Sequence, residues 1–85
     1  MNKINSIVFQ GTLIDCSKNL SGINFTLKTN DCVVNCFFND IKEFKYFESK
    51  LNQNFDVRLV GKIKNDINNS IYIFTEHFEF IKNNL

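Results

Sequence analysis

From Ser6 to Asp15 (SIVFQGTLID) apolar and polar residues alternate: Ile7, Phe9, Gly11 and Leu13 share one face, Val8, Gln10, Thr12 and Ile14 the other. Successive side chains of an extended chain point to opposite sides, so a period of two in β-branched and aromatic residues predicts a strand. Cys16 to Gly22 is a turn-rich connection. Ile23 to Thr29 predicts a second strand, with Ile23, Phe25 and Leu27 on one side and Asn24, Thr26 and Lys28 on the other. Asn30-Asp31 is a tight-turn signal, and Cys32 to Phe38 is the third strand. At Asp40 the period changes. Ile41, Phe44, Phe47 and Leu51 form one helical stripe over Asp40 to Leu51, while Lys42, Glu43, Lys45 and Lys50 face water. Asn39 or Asp40 is the cap, and Glu43 stands three residues after Asp40 as in a capping box. The period of two returns from Phe55 to Lys64, with Val57, Leu59, Gly61 and Ile63 inward and Arg58, Val60, Lys62 and Lys64 outward. Asn65 to Asn69 is a hairpin loop, and Ser70 to Ile81 is a long fifth strand, bent or irregular near its middle.

The chain has 85 residues, enough for one domain with one core and little more. The order β-β-β-α-β-β buries these faces most simply as an all-β, five-stranded barrel, with the helix between strands three and four plugging its lower opening. That is the OB-fold, whose strands two and three, with the loops after strands one and four, bind oligonucleotides or oligosaccharides. The whole chain, 1–85, is expected to be a single such domain.

Composition sharpens this only in part. Hydrophobic residues make up 44% and charged residues 22%, the balance of a globular chain. Asn, Ile, Lys and Phe together form about half of it while Ala, Pro and Trp are missing, a bias of an AT-rich genome that says nothing of function. No apolar run approaches the roughly 20 residues that span a bilayer. The first residues carry no signal-peptide pattern, so the expected location is the cytoplasm and the three cysteines, Cys16, Cys32 and Cys36, are expected to be reduced. Net charge is only +1, so any attraction for nucleic acid must come from clustering.

Enzymatic chemistry finds no support. His77 is the sole histidine. Cys32 and Cys36, four apart on a strand, share a face but lie about 13 Å apart, too far to hold one ion. The three glycines, Gly11, Gly22 and Gly61, form no phosphate-cradling loop. The reading is a non-enzyme without metal, cofactor or small-molecule substrate.

Five segments resemble one family in register. Asn5-x-Ile7-x-Phe9-x-Gly11-x-Leu13 resembles the first strand of bacterial single-stranded DNA-binding proteins, and Asn24-Phe25-Thr26-Leu27-Lys28 their second. The run from Phe37 to Phe44 is similar to the end of their third strand entering the helix. Val57-x-Leu59-x-Gly61-x-Ile63 and the run from Thr75 to Ile81 are similar to their fourth and closing strands. The small replication-restart protein of the primosome is similar in the same way. Three features depart from the family: the connection between strands two and three is cut to Thr29-Asn30-Asp31, the stacking tryptophans are missing, and no acidic tail follows the last strand. The expectation is a minimal or accessory binder.

The resemblance implies non-sequence-specific binding of single-stranded DNA, with RNA as the alternative, in replication, recombination or repair. Such grooves track phosphates with cations and stack bases on aromatic faces. The cation candidates are Lys28, Arg58, Lys62 and Lys64, against the plainer reading of solvated strand charge. The stacking candidates are Phe38, which aligns with a base-stacking aromatic of the family, and Tyr72 with Phe74 beside the hairpin, which alternate with Ile71 and Ile73 so that one pair faces out, a dimer interface being the plainer reading. Phe37 and Phe38 cannot both point inward on a regular strand; Phe38 is taken as outward, and a core phenylalanine is the competing reading. Phe9, Phe25, Phe44, Phe47 and Phe78 are expected in the core. A homodimer or homotetramer is expected through strand-one surfaces around Val8, Gln10 and Thr12. The competing functional class is an OB-type subunit whose groove holds a partner protein. Near-neutral charge and missing tryptophans favour that class; the strand-by-strand resemblance favours DNA.

Overall fold

The computed structural model describes residues 6–83; Asn5, the first residue of the family-like motif, and the N-terminal residues read as carrying no signal-peptide pattern lie outside them. Five strands, β1 (Ser6–Asn19), β2 (Gly22–Lys28), β3 (Val33–Phe38), β4 (Phe55–Asn65) and β5 (Ile71–Lys82), close into a barrel in the order β1-β2-β3-β5-β4. All neighbours are antiparallel except β3 and β5, which run parallel. Closure gives every strand a neighbour on each side over part of its length, in place of the two open edge strands of a flat sheet.

The interior is filled by the inward period-two residues. Ile23, Leu27 and Val57 are wholly buried, and Phe25, Leu59 and Leu13 nearly so. The segment between β3 and β4 closes one end. It is a 3-10 turn, Ile41–Glu43, followed by a short helix α1 (Phe44–Lys50). Phe47 drops from α1 into the barrel, 0% exposed, and packs on Phe25 and Phe78 with ring centroids 4.8 Å away in each case. Truncating a phenylalanine so placed costs about 3–5 kcal/mol. Phe9, Phe44 and Phe78 pack against the same core from its margin, as their stripes predicted.

Several details depart from the sequence reading. β1 runs on to Asn19 instead of ending at Asp15, because pairing with β2 persists through Asn19 opposite Gly22. The Asn19 Oδ1 then takes the backbone N–H groups of Ser21 and Gly22 at 2.8 and 3.1 Å, so an Asx turn replaces the long loop. Gly22 sits there with φ +154, and a Cβ on it would run into the Phe38 carbonyl oxygen. The helix is shorter than Asp40 to Leu51: the Asp40 carboxylate binds the Lys42 N–H at 3.0 Å and holds the first turn in 3-10 form. That tighter turn rotates Ile41 off the stripe, leaving it 41% exposed.

Phe38 is not outward. β3 has no bulge, so buried Cys36 and Phe38 share the inner face, and the Phe38 ring meets Phe78 edge-on at 4.9 Å. The outward aromatic is Phe37. Ile63 is not inward in effect either: it faces the same side as its partner Ile73 but is 55% exposed, because β4 and β5 there extend beyond the barrel as a hairpin. One expectation does hold: β5 is irregular in its middle. Val60 pairs with His77 but Gly61 with Thr75, so Glu76 is an extra residue. The bulge shifts the inward set from Ile73 and Thr75 to Phe78 and Phe80. At Gly61 a Cβ would strike the Phe74 carbonyl oxygen, so this crossing of backbones admits only glycine.

Candidate nucleic-acid interface

Strand register assembles the outer face row by row. Ser17 pairs with Asn24, Asn24 with Phe37, Phe37 with Phe74, and Phe74 with Lys62. This row crosses all five strands, and at about 4.8 Å per strand step it is roughly 19 Å long. It reads hydroxyl, amide, ring, ring, cation. Two residues back along the strands, Asp15, Thr26 and Asn35 form a parallel row across β1, β2 and β3. Tyr72 and Lys64 pair one step nearer the hairpin tip on β5 and β4. A groove of about 460 Å³ follows these rows between the β1–β2 and β4–β5 hairpins, with Asn24, Thr26, Asn35 and Phe37 on its floor and Tyr72 on its wall.

Alternation places the rings once strand pairing has set the phase. Phe37 lies outside because Cys36 and Phe38 lie inside; Phe74 lies outside because Ile73 and Thr75 are buried. Their centroids are 6.1 Å apart with planes 39° from parallel. Lys64 lies over the Phe74 ring, its Nζ 4.4 Å from the centroid. Lys62 Nζ is 3.8 Å from the Glu76 carboxylate, the residue the bulge turns outward, in a solvent-exposed pair. Such pairs are worth well under about 1 kcal/mol, so Lys62 remains available to another anion.

Of the residues singled out by sequence, Lys62, Lys64, Tyr72 and Phe74 therefore meet on one surface. The others do not join them. Phe38 lies behind that surface, packed on the core and on Phe78. Arg58 stands on the outer face of β1, β4 and β5, its Nε donating to Gln10 at 3.1 Å and its guanidinium 3.7 Å from Glu79. Lys28 is on the outer face of β2 but lines a separate depression with Gln10, Thr12 and Asp56. Phe37, Asn24 and Asn35 were missed. The alternation of β2 already put Asn24 outward, but the outward side of β3 depended on whether it carries a bulge.

No protein-family model matches this chain, and no curated protein matches it by sequence. Its shape does have relatives. The mitochondrial single-stranded DNA-binding protein of S. cerevisiae superposes with a TM-score of 0.72 over 98% of this chain and 99% of that one, at 7% identity. The single-stranded DNA-binding domain of a Synechococcus sp. protein gives 0.67 over 92% and 97%, at 9% identity. A chain of the replication protein A heterotrimer bound to single-stranded DNA gives 0.73 over 94% of this chain at 15% identity; this chain spans 60% of its length. The fold is an OB-fold. In the OB-fold the strand-two and strand-three face, with the loops after strands one and four, is the usual ligand surface, and here it coincides with the groove that register and alternation assemble. Among the described residues, no helix is long and apolar enough to cross a membrane.

Proposed function

We propose that this OB-fold binds single-stranded DNA through the groove of β2, β3 and the β4–β5 hairpin, without sequence motif, in replication, recombination or repair. The observation that carries the reading is the transverse row in which Phe37 and Phe74 stand side by side between Asn24 and Lys62. Two bases stack on the two rings, each stack being worth about 1–3 kcal/mol. The phosphates run along the hairpin, where Lys62 and Lys64 meet them. Lys64 leaves the Phe74 face when a base takes it, giving up a cation–π contact of about 0.5–1 kcal/mol for a phosphate.

The test is fluorescence anisotropy with a labelled mixed-sequence oligonucleotide across a salt series. With two cations neutralising two phosphates, log affinity falls against log salt with a slope of about −1.4. Lys62→Ala with Lys64→Ala flattens that slope; Phe37→Ala leaves it unchanged but weakens binding about 5- to 150-fold. A wild-type protein that ignores the oligonucleotide at low salt overturns the reading.

A second reading, an interaction subunit for a protein partner, draws on apolar exposure. Ile63, Ile67 and Ile71 on the β4–β5 hairpin are 55, 100 and 63% exposed. Self-association belongs to this proposal too, through the outer face of β1. Gln10 and Thr12 there are already bound to Asp56, at 2.9 and 3.0 Å, so Val8, 71% exposed opposite Val60, is the part of that face left open.

A further inference from the structure

The groove divides by charge. Among the described residues, no lysine or arginine lines the 460 Å³ groove itself; Lys62 and Lys64 flank it on the β4–β5 side, while Lys28 of β2 opens on the separate depression beside Thr12 and Asp56. The β1–β3 side instead presents Asp15, Thr26 and Asn35 in one row, and Ser17 and Asn24 in the next beside Phe37. The groove's two carboxylates differ in freedom. Asp66 is committed to its own hairpin, its Oδ1 accepting from the N–H groups of Asn68 and Ser70 at 2.8 and 3.0 Å. Asp15 makes no side-chain hydrogen bond or ion pair among the described residues, and it stands across β2 from Asn35 with its carboxylate on the groove side.

An ionised carboxylate accepts hydrogen bonds and never donates. Phosphates are repelled from it, so a strand lying in this groove runs its backbone along Lys62 and Lys64 and turns its base edges toward β1. A base stacked on Phe37 then presents its edge to Asn24, whose amide both donates and accepts and so fits any base. Asp15 ends the next row, beyond Thr26, so it is the neighbouring base, lying over Thr26 and Asn35, whose edge meets Asp15. Cytosine and adenine bring an exocyclic amino group to that carboxylate, and guanine brings two adjacent N–H donors. Thymine and uracil bring carbonyl oxygens on both sides of a single N–H. Carboxylate pairing with a base amino group is an established mode of base discrimination.

We infer that this groove selects single strands by base class, taking those whose bases carry amino groups over thymine or uracil, with Asp15 as the selecting residue. The inference rests on the nucleic-acid reading above and adds to it a preference that stacking and phosphate contacts cannot produce, since every base has a π-face and every nucleotide a phosphate.

The experiment compares labelled oligo-dC, oligo-dA and oligo-dT of equal length at one salt concentration, with wild type, Asp15→Asn, Asp15→Ser and, as a control for net charge, Asp31→Asn in the distant β2–β3 turn. The expected wild-type result is about tenfold tighter binding of oligo-dC and oligo-dA than of oligo-dT. In Asp15→Asn the amide accommodates thymine and the ratio collapses toward one; Asp15→Ser removes the carboxylate in a second way and does the same. Asp31→Asn raises affinity for all three alike and leaves the ratio in place. Melting curves confirm that the variants are folded. Equal wild-type affinity for the three oligonucleotides overturns the base-class inference while the single-strand reading stands. A preference that survives both Asp15 variants overturns the assignment to Asp15. Failure to bind any of the three overturns both.

Discussion

The sharpest consequence of the barrel concerns two adjacent phenylalanines with opposite duties. Phe38 is half-buried on the inner face of β3, with its ring edge-on to Phe78 at 4.9 Å and 81°. A fully buried phenylalanine costs about 3–5 kcal/mol to truncate. Half of that for a half-buried ring, with about 0.5–1.5 kcal/mol for the aromatic pair, puts Phe38→Ala at roughly 2–4 kcal/mol. In a domain of this size each kcal/mol lowers Tm by about 4–8 °C, so a fall of roughly 8–30 °C is expected. Phe37 meets Phe74 at 6.1 Å and no core ring, and Phe37→Ala is expected to lower stability by about 1 kcal/mol or less. Oligonucleotide binding reverses the order: Phe37→Ala loses a stack, while Phe38→Ala, measured well below its Tm, binds nearly as wild type. Circular dichroism melts and anisotropy titrations on the two variants read both quantities. If Phe38→Ala melts like wild type and Phe37→Ala melts far below it, the inner and outer faces of β3 are assigned the wrong way round.

Three further outcomes follow from the same geometry. Thr75 is 2% exposed and its Oγ1 finds no hydrogen-bond partner among the described residues, so Thr75→Val, which keeps the shape and removes the orphaned hydroxyl, is expected to stabilise by about 1–2 kcal/mol in a denaturant titration; a loss of stability refutes the orphan. Burial pushes the Cys36 thiol up from its ordinary 9.0 to about 12. It therefore stays protonated in the fold while the unfolded chain gives up that proton, so its contribution is full below pH 9.0 and declines toward pH 12 by about 1.4 kcal/mol per pH unit. Alkylation of the native protein at pH 8 should mark exposed Cys32 and spare Cys36, and equal labelling of the two contradicts the burial. Val8→Lys is expected to convert a self-associating protein into a monomer in light scattering; a wild type that is strictly monomeric at high micromolar concentration removes the β1 surface from the proposal.

The element order, the single helix between β3 and β4 and most of the core were legible from side-chain period. A half-buried strand must alternate and a plugging helix must carry a stripe, so Ile23, Phe25, Leu27, Val57 and Leu59 announced their side before any contact was known. The family-like segments pointed to the same fold, and the outward alternation of Lys62 and Lys64, with Tyr72 and Phe74 as candidates if theirs was the outward pair of β5, marked half of the candidate surface. Alternation is a local property, and wherever the ladder is regular it carries through to the barrel.

What alternation cannot specify is where the ladder breaks and which strands lie side by side. In β3 the adjacent pair Phe37 and Phe38 satisfies either phase equally well; the choice fell to Cys36, which is drawn inside by pairing with β2 and β5. In β5 the extra Glu76 resets the phase because Gly61 lets the two backbones cross closely. Arg58 and Lys62, four residues apart on one face of β4, went to different sites for the same reason: the bulge gives Arg58 the carboxylate of Glu79 as its neighbour and Lys62 the ring of Phe74. The parallel contact of β3 with β5, between segments joined by no hairpin, set Phe37 beside Phe74 and made a row out of residues far apart in the chain. Which faces are apolar was thus written in the chain itself; which residues share a groove depended on closure of the barrel, because only closure fixes the neighbours across strands.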